Sequence, residues 1–149
     1  MKLSLQVQYA VCGVFDLAYN GQGEPVQVRV ISERQAIPGR YLEQIFRRLR
    51  RADLVTSKRG PGGGYTLARP AREISLRDVV EAVEGPLETA FETEPRVAAQ
   101  SASRPDFLWV DLAGRLGAAL AEVDFEALCR EAASAQVERA SPDGPMYFI

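Results

Sequence analysis

The chain contains no histidine and only two cysteines, Cys12 and Cys129, in 149 residues. Without an imidazole there is no His-based acid–base catalysis, no Ser-His-Asp triad and none of the common zinc sites. Two cysteines build no disulfide framework. Long apolar runs are missing as well, since nothing approaches the ~20 uninterrupted apolar residues of a membrane span. The opening Met1-Lys2-Leu3-Ser4-Leu5-Gln6-Val7-Gln8 has one basic residue and no small-residue cleavage site, so no secretory signal is expected. No paired-carboxylate, nucleophile–base or metal-ligating constellation emerges. The expectation is therefore a cytoplasmic protein that is not an enzyme and has no cofactor, no metal and no membrane partner.

What is present is ordinary for one globular domain, or a small domain with an appendage: 46% hydrophobic and 26% charged residues. The formal net charge of −2 conceals an asymmetry. Residues 1–70 carry eleven Lys/Arg against five Asp/Glu, whereas residues 71–149 carry seven against fifteen. A basic half suits a polyanion, and the acidic half must have another task.

Residues 3–20 read as an amphipathic helix, with Val7, Ala10, Val11, Val14, Phe15 and Ala18 at helical spacing. Asn20-Gly21-Gln22-Gly23 ends it, because Asn and Gly tolerate a left-handed terminus. Residues 28–35 form a short second helix, although the alternation of Val26, Val28 and Val30 also fits a strand. After the turn Ala36-Ile37-Pro38-Gly39, a helix over 38–52 places Leu42, Ile45, Phe46 and Leu49 in one apolar stripe. Arg40, Gln44, Arg47 and Arg51 lie close to the opposite side, with Glu43, Arg48 and Arg50 on its flanks. A basic amphipathic second helix is what a helix-turn-helix needs: one face docks on its own domain and the other meets phosphates and base edges.

Leu54-Val55-Thr56-Ser57-Lys58-Arg59-Gly60-Pro61-Gly62-Gly63-Gly64-Tyr65-Thr66-Leu67 then reads as a hairpin around a Gly/Pro loop. A Walker loop would need Gly-Lys-Ser/Thr opening a helix, and Tyr-Thr-Leu follows instead. A basic hairpin after a helix-turn-helix is a wing. Its glycines Gly60, Gly62 and Gly63 bring backbone close to DNA, and Lys58 and Arg59 supply charge, Arg59 for a minor groove. Ser75-Leu76-Arg77-Asp78 resembles a capping box opening a helix over 75–84, which stops at Gly85-Pro86. Residues 86–105 lack periodicity and read as a loop. A helix from Pro105 to about 121 repeats Leu108, Leu112, Leu116 and Leu120 every four residues, joined by a buried Trp109. Asp124 caps a further short helix to about Ala135. No repeat of 20–50 residues is present.

These segments resemble the Rrf2 winged-helix regulators, the group containing IscR, NsrR and CymR. The matching stretches are Tyr41-Leu42-Glu43-Gln44-Ile45, Leu49-Arg50-Arg51-Ala52-Asp53-Leu54-Val55, Arg59-Gly60-Pro61-Gly62-Gly63-Gly64-Tyr65 and Leu67-Ala68-Arg69-Pro70. Asp78-Val79-Val80-Glu81-Ala82-Val83-Glu84-Gly85 and Leu108-Trp109-Val110-Asp111-Leu112 follow in order, so the resemblance covers residues 1–130.

The resemblance implies a mainly α fold with a small β-hairpin wing: a winged helix-turn-helix over 1–85, a loop over 86–104, a dimerisation helix and short following helix over 105–136, and a tail over 137–149. It implies a homodimer on a pseudo-palindromic operator in double-stranded DNA, acting as a repressor. Arg40, Tyr41, Glu43, Gln44, Arg47, Arg48, Arg51 and the wing would contact DNA, and Leu108, Trp109, Leu112, Leu116 and Leu120 would form the dimer interface. Glu43 either accepts from cytosine N4 or pairs with Arg47.

Many family members hold an iron–sulfur cluster on cysteines before the long helix. Residues 85–108 contain no cysteine, and Ser103 and Asp106 stand where relatives can have Cys and His. Ser and Asp are poor ligands for such a cluster. Signalling is then left to a thiol at Cys12 or Cys129, or to a small-molecule or protein effector at the linker. The alternative to a DNA-binding regulator is a protein-interaction module, or an enzyme-partnered regulator, that retains the winged fold. Arg40, Arg47 and Arg59 together speak for DNA.

Overall fold

The computed structural model describes residues 2–92 and 103–140. In chain order these form α1 (Leu5–Asn20), α2 (Val28–Gln35), α3 (Gly39–Arg51), β1 (Val55–Lys58), β2 (Gly64–Leu67), α4 (Leu76–Glu84), α5 (Leu87–Ala90), α6 (Phe107–Ala121) and α7 (Phe125–Ser134), with a single 3₁₀ turn at Ala71–Glu73. The molecule is mainly helical with one antiparallel hairpin, a winged helix-turn-helix. β1 and β2 pair from Val55–Leu67 to Lys58–Gly64. Val26 adds an isolated bridge to Tyr65, so the strand-like Val26 and the helix α2 are both present.

One core holds these elements together. Val7, Ala10, Val14 and Leu17 of α1 pack with Ile31, Ile37, Leu42, Ile45, Phe46 and Leu49 of the helix-turn-helix, with Leu54 and Val55 at the wing base, and with Val79, Val80 and Val83 of α4. Gly13 lets α1 pack tightly on α3: a Cβ there would stand 2.9 Å from the Phe46 ring. The helix ends obey their sequence signals. Ser4 caps α1 by accepting from the Val7 N–H. Ser75 and Asp78 form a reciprocal capping box on α4, and Asp124 Oδ1 accepts from the Ala127 N–H at 2.8 Å. After α1, however, Gly21 keeps right-handed geometry, and the left-handed step falls at Gln22 and Gly23.

Three expectations change. The loop expected over 86–104 begins with α5, whose Leu87 is buried in the core; residues 93–102 lie outside the described residues. Four residues are too short for a periodicity to register. Trp109 is half-buried, not buried. The segment after α7 returns to the head: Tyr19 Oη donates to the Val137 carbonyl at 2.8 Å, and the Ala140 N–H donates to Asn20 Oδ1 at 2.8 Å. Phe125 of α7 is fully buried in the same core, and the Phe125 N–H donates to the Ile74 carbonyl at 3.0 Å. Residues 141–149 of the expected tail lie outside the described residues.

Candidate nucleic-acid interface

The position of α2 is set by a charge inside the fold. Asp16 of α1 is fully buried and accepts from Asn20 Nδ2 at 3.0 Å, Arg34 Nη1 at 3.2 Å and Gln35 Nε2 at 2.9 Å. A buried carboxylate is tolerated only with such partners, and here they tie both ends of the α1–α2 corner. Ala36 then turns left-handed (φ 53°), Ile37 drops into the core and α3 begins at Gly39.

With Leu42, Ile45, Phe46 and Leu49 buried, Arg40, Glu43, Gln44, Arg47 and Arg51 are left exposed along the outer side of α3. Glu43 and Arg47, one turn apart, make no ion pair with each other, and no ion pair of the described residues uses Arg40, Arg47 or Arg51. Arg48 leaves this set. Its Nη1 donates to Gln6 Oε1 at 2.9 Å and to the Val83 carbonyl at 3.2 Å, clamping α3 to α1 and α4. Eight positions beyond Arg40, it falls about 80° round the helix, over α1 instead of outward. Tyr41 sits on that same shoulder. Its ring lies 6.3 Å from that of Tyr9, and the Arg40 guanidinium lies over it at 4.8 Å while Nη2 donates to Tyr41 Oη at 3.1 Å.

The wing follows α3 directly, and Arg50 Nη1 donates to Ser57 Oγ at 3.2 Å across their junction. Tyr65 anchors β2 with its ring 4.8 Å from Phe46. Residues 56–62, including Lys58 and Arg59, are exposed. Gly60 (φ 89°) and Gly62 (φ 70°) occupy left-handed backbone with open space around them. Gly63, expected at the DNA, is buried instead. Its N–H donates to the Gly60 carbonyl at 2.9 Å, and a Cβ would stand 2.4 Å from the Lys58 carbonyl oxygen. Its role is to close the loop.

The leucine stripe of α6 divides. A four-residue repeat drifts by about 40° per step on a helix, so Leu116 and Leu120 pack against the core while Leu108 (42%) and Leu112 (38%) are exposed. More exposed still are Phe107 (78%) and Val110 (76%), which the leucine repeat did not pick out. The only charges of α6, Asp111 and Arg115, pair with each other at 2.8 Å. A helix apolar nearly all round is one that is buried on most sides, yet within one chain only Ala113 and Gly117 of α6 are fully covered.

Burial pushes the thiols of both Cys12 and Cys129 up from the ordinary cysteine value; at Cys129 Glu126 adds to this and Arg139 opposes it. The direction is away from thiolate, the reactive and metal-binding form. Among the described residues no group of three or more His, Cys, Asp or Glu is arranged to hold a metal ion. No helix among them is long and apolar enough to cross a membrane.

Residues 3–131 match the family described as Rrf2, iron-dependent transcriptional regulator. The HTH-type transcriptional regulator IscR of Photorhabdus laumondii is 41% identical over 130 residues, covering 86% of this chain and 79% of that protein. The solved structure of T. potens IscR superposes with a TM-score of 0.71 at 32% identity, over 99% of this chain and 97% of the other. CymR, the global cysteine regulator of B. subtilis, superposes with a TM-score of 0.71 at 28% identity, over 88% and 98%.

Proposed function

Since this chain belongs to the Rrf2 family of transcriptional regulators, we propose that it binds a pseudo-palindromic operator as a cytoplasmic homodimer and represses from there, without an iron–sulfur cluster. The observation that carries the DNA-reading is the row Arg40, Glu43, Gln44, Arg47 and Arg51: five exposed polar side chains on one face of α3, with Glu43 and Arg47 unpaired at a spacing where they could neutralise each other. Arginine there suits guanine O6 and N7 or phosphate, and a free Glu43 suits cytosine N4. Arg59, on an exposed loop held by Gly63, suits a narrow minor groove. The dimer reading rests on α6, whose uncovered Phe107, Val110, Leu108 and Leu112 call for a second copy.

The family description invokes iron, and the donor set here does not fit a cluster. Thiolates are needed for most ligands of iron–sulfur irons. This chain has two, one on α1 and one on α7, both half-buried, and none between residues 85 and 108. The burial of both thiols favours an effector, small molecule or protein, over thiol oxidation as the signal. Anaerobic purification, iron assay and visible absorption test this: colourless protein that binds DNA is expected, and stoichiometric iron with a charge-transfer band near ~400 nm overturns the cluster-free reading. DNA fragments recovered with the protein from its own genome should share one palindrome. Recovery without any common sequence favours the protein-interaction alternative.

A further inference from the structure

We propose that Tyr41 is a positioning residue that holds Arg40 as a preset reader of guanine, so that one base per half-site is selected by an arginine already ordered before DNA arrives. This rests on the DNA-reading proposed above and names the base it takes. The stack runs outward from the core. Tyr9 packs against the core cluster, the Tyr41 ring lies 6.3 Å from it at 31°, and the Arg40 guanidinium covers Tyr41 at 4.8 Å. The Nη2–Oη hydrogen bond, 3.1 Å, fixes the rotation of the guanidinium about that ring. An exposed arginine otherwise samples many rotamers and loses that freedom on binding. Here a ring face and one acceptor limit it to one plane. Only one of the five guanidinium N–H donors is engaged by Tyr41, and those remaining suffice for the paired acceptors O6 and N7 that guanine alone displays in the major groove. Arg40 stands in the first turn of α3, the end that enters the groove in a helix-turn-helix.

Selection from a random duplex library with the wild-type protein provides the probe, and the selected duplex is then made with 7-deazaguanine, which lacks N7, at each guanine in turn. One 7-deazaguanine position per half-site is expected to weaken wild-type binding roughly tenfold, within the usual range of a base-reading contact. Arg40→Ala should be insensitive to that same replacement. Tyr41→Ala should lose the guanine preference as Arg40→Ala does, and the double variant should be no worse than Arg40→Ala alone. Tyr41→Phe, which keeps the ring and is isosteric in the fold, should retain part of the preference. The positioning role is overturned if Tyr41→Phe and Tyr41→Ala keep full sensitivity to 7-deazaguanine, or if the Arg40 and Tyr41 losses simply add. The guanine assignment is overturned if no replacement distinguishes wild type from Arg40→Ala. A library from which the wild type enriches nothing overturns instead the DNA-reading on which both depend.

Discussion

Asp16 shows how a single side chain can hold a reading head in shape without touching its ligand. Its carboxylate joins Asn20, Arg34 and Gln35, and replacing it leaves those donors facing a void. Asp16→Ala is expected to destabilise the fold by about 1–3 kcal/mol, the usual cost of leaving buried hydrogen-bond partners unsatisfied, measured by urea unfolding; no measurable loss would mean that water satisfies the site. At the DNA face the two arginines of helix and wing should separate. Arg59→Ala should lose affinity most on duplexes with A·T-rich flanks, where the minor groove is narrow. Arg47→Ala, if it meets phosphate, should weaken all sequences alike and reduce the salt slope by about 1. Fluorescence anisotropy across salt and sequence distinguishes them. The raised thiols give a pH signature: alkylation of Cys12 should gather speed only at a higher pH than that of free cysteine, because burial disfavours its thiolate.

Among the elements, Gly13 governs how near α1 lies to α3. Gly13→Ala would place a methyl 2.9 Å from the buried Phe46 ring, which itself rests on Tyr65 of the wing. An overpacking loss of about 1–3 kcal/mol is expected in thermal unfolding, and Gly13→Ser should cost at least as much. The elements that sequence revealed were those with strong local signals: the stripe of α3, the capping box at Ser75, the cap at Asp124 and the glycine-rich loop. Those it did not reveal depend on contacts distant in the chain. Nothing local says that α5 forms, since Leu87 is ordered by the core it enters. Nothing local distinguishes Arg48 from Arg47 except the helix's step of about 100°, which turns Arg48 toward Gln6 and Val83. Asp16 reads as one acidic residue on an apolar helix, and its partners lie fifteen or more residues away on α2, apart from Asn20. The leucine repeat was visible, but its drift around α6 meant that half of it belonged to the core and half to the outside. Gly63 looked like Gly60 and Gly62; its burial against the Lys58 and Gly60 carbonyls, where the other two sit in open left-handed backbone, separates their roles.

At the scale of the whole molecule, the uncovered side of α6 is the main unfinished surface. Val110→Glu should leave the head folded, because Val110 touches little within its own chain, yet give a monomer by sedimentation and weaken operator binding; a dimer that survives it places the interface elsewhere. α6 is also fastened to its own head along its later half. α4 and α5 pack on it, the Arg77 guanidinium lies over Gly117 and reaches Glu88 of α5, Leu116 and Leu120 pack against the core, and α7 carries Phe125 back into the core after its end. In the proposed dimer, a helix braced in this way would give the two heads no hinge between them. Their separation would then act as a fixed gauge, matched to one helical phase of the duplex. One base pair inserted between half-sites advances the far half by about 3.4 Å and turns it by about 34°, a screw motion that such a frame has no joint to follow. Binding should fall sharply at one added pair, stay low at five, and fail to recover even at ten, when the phase returns but the distance does not.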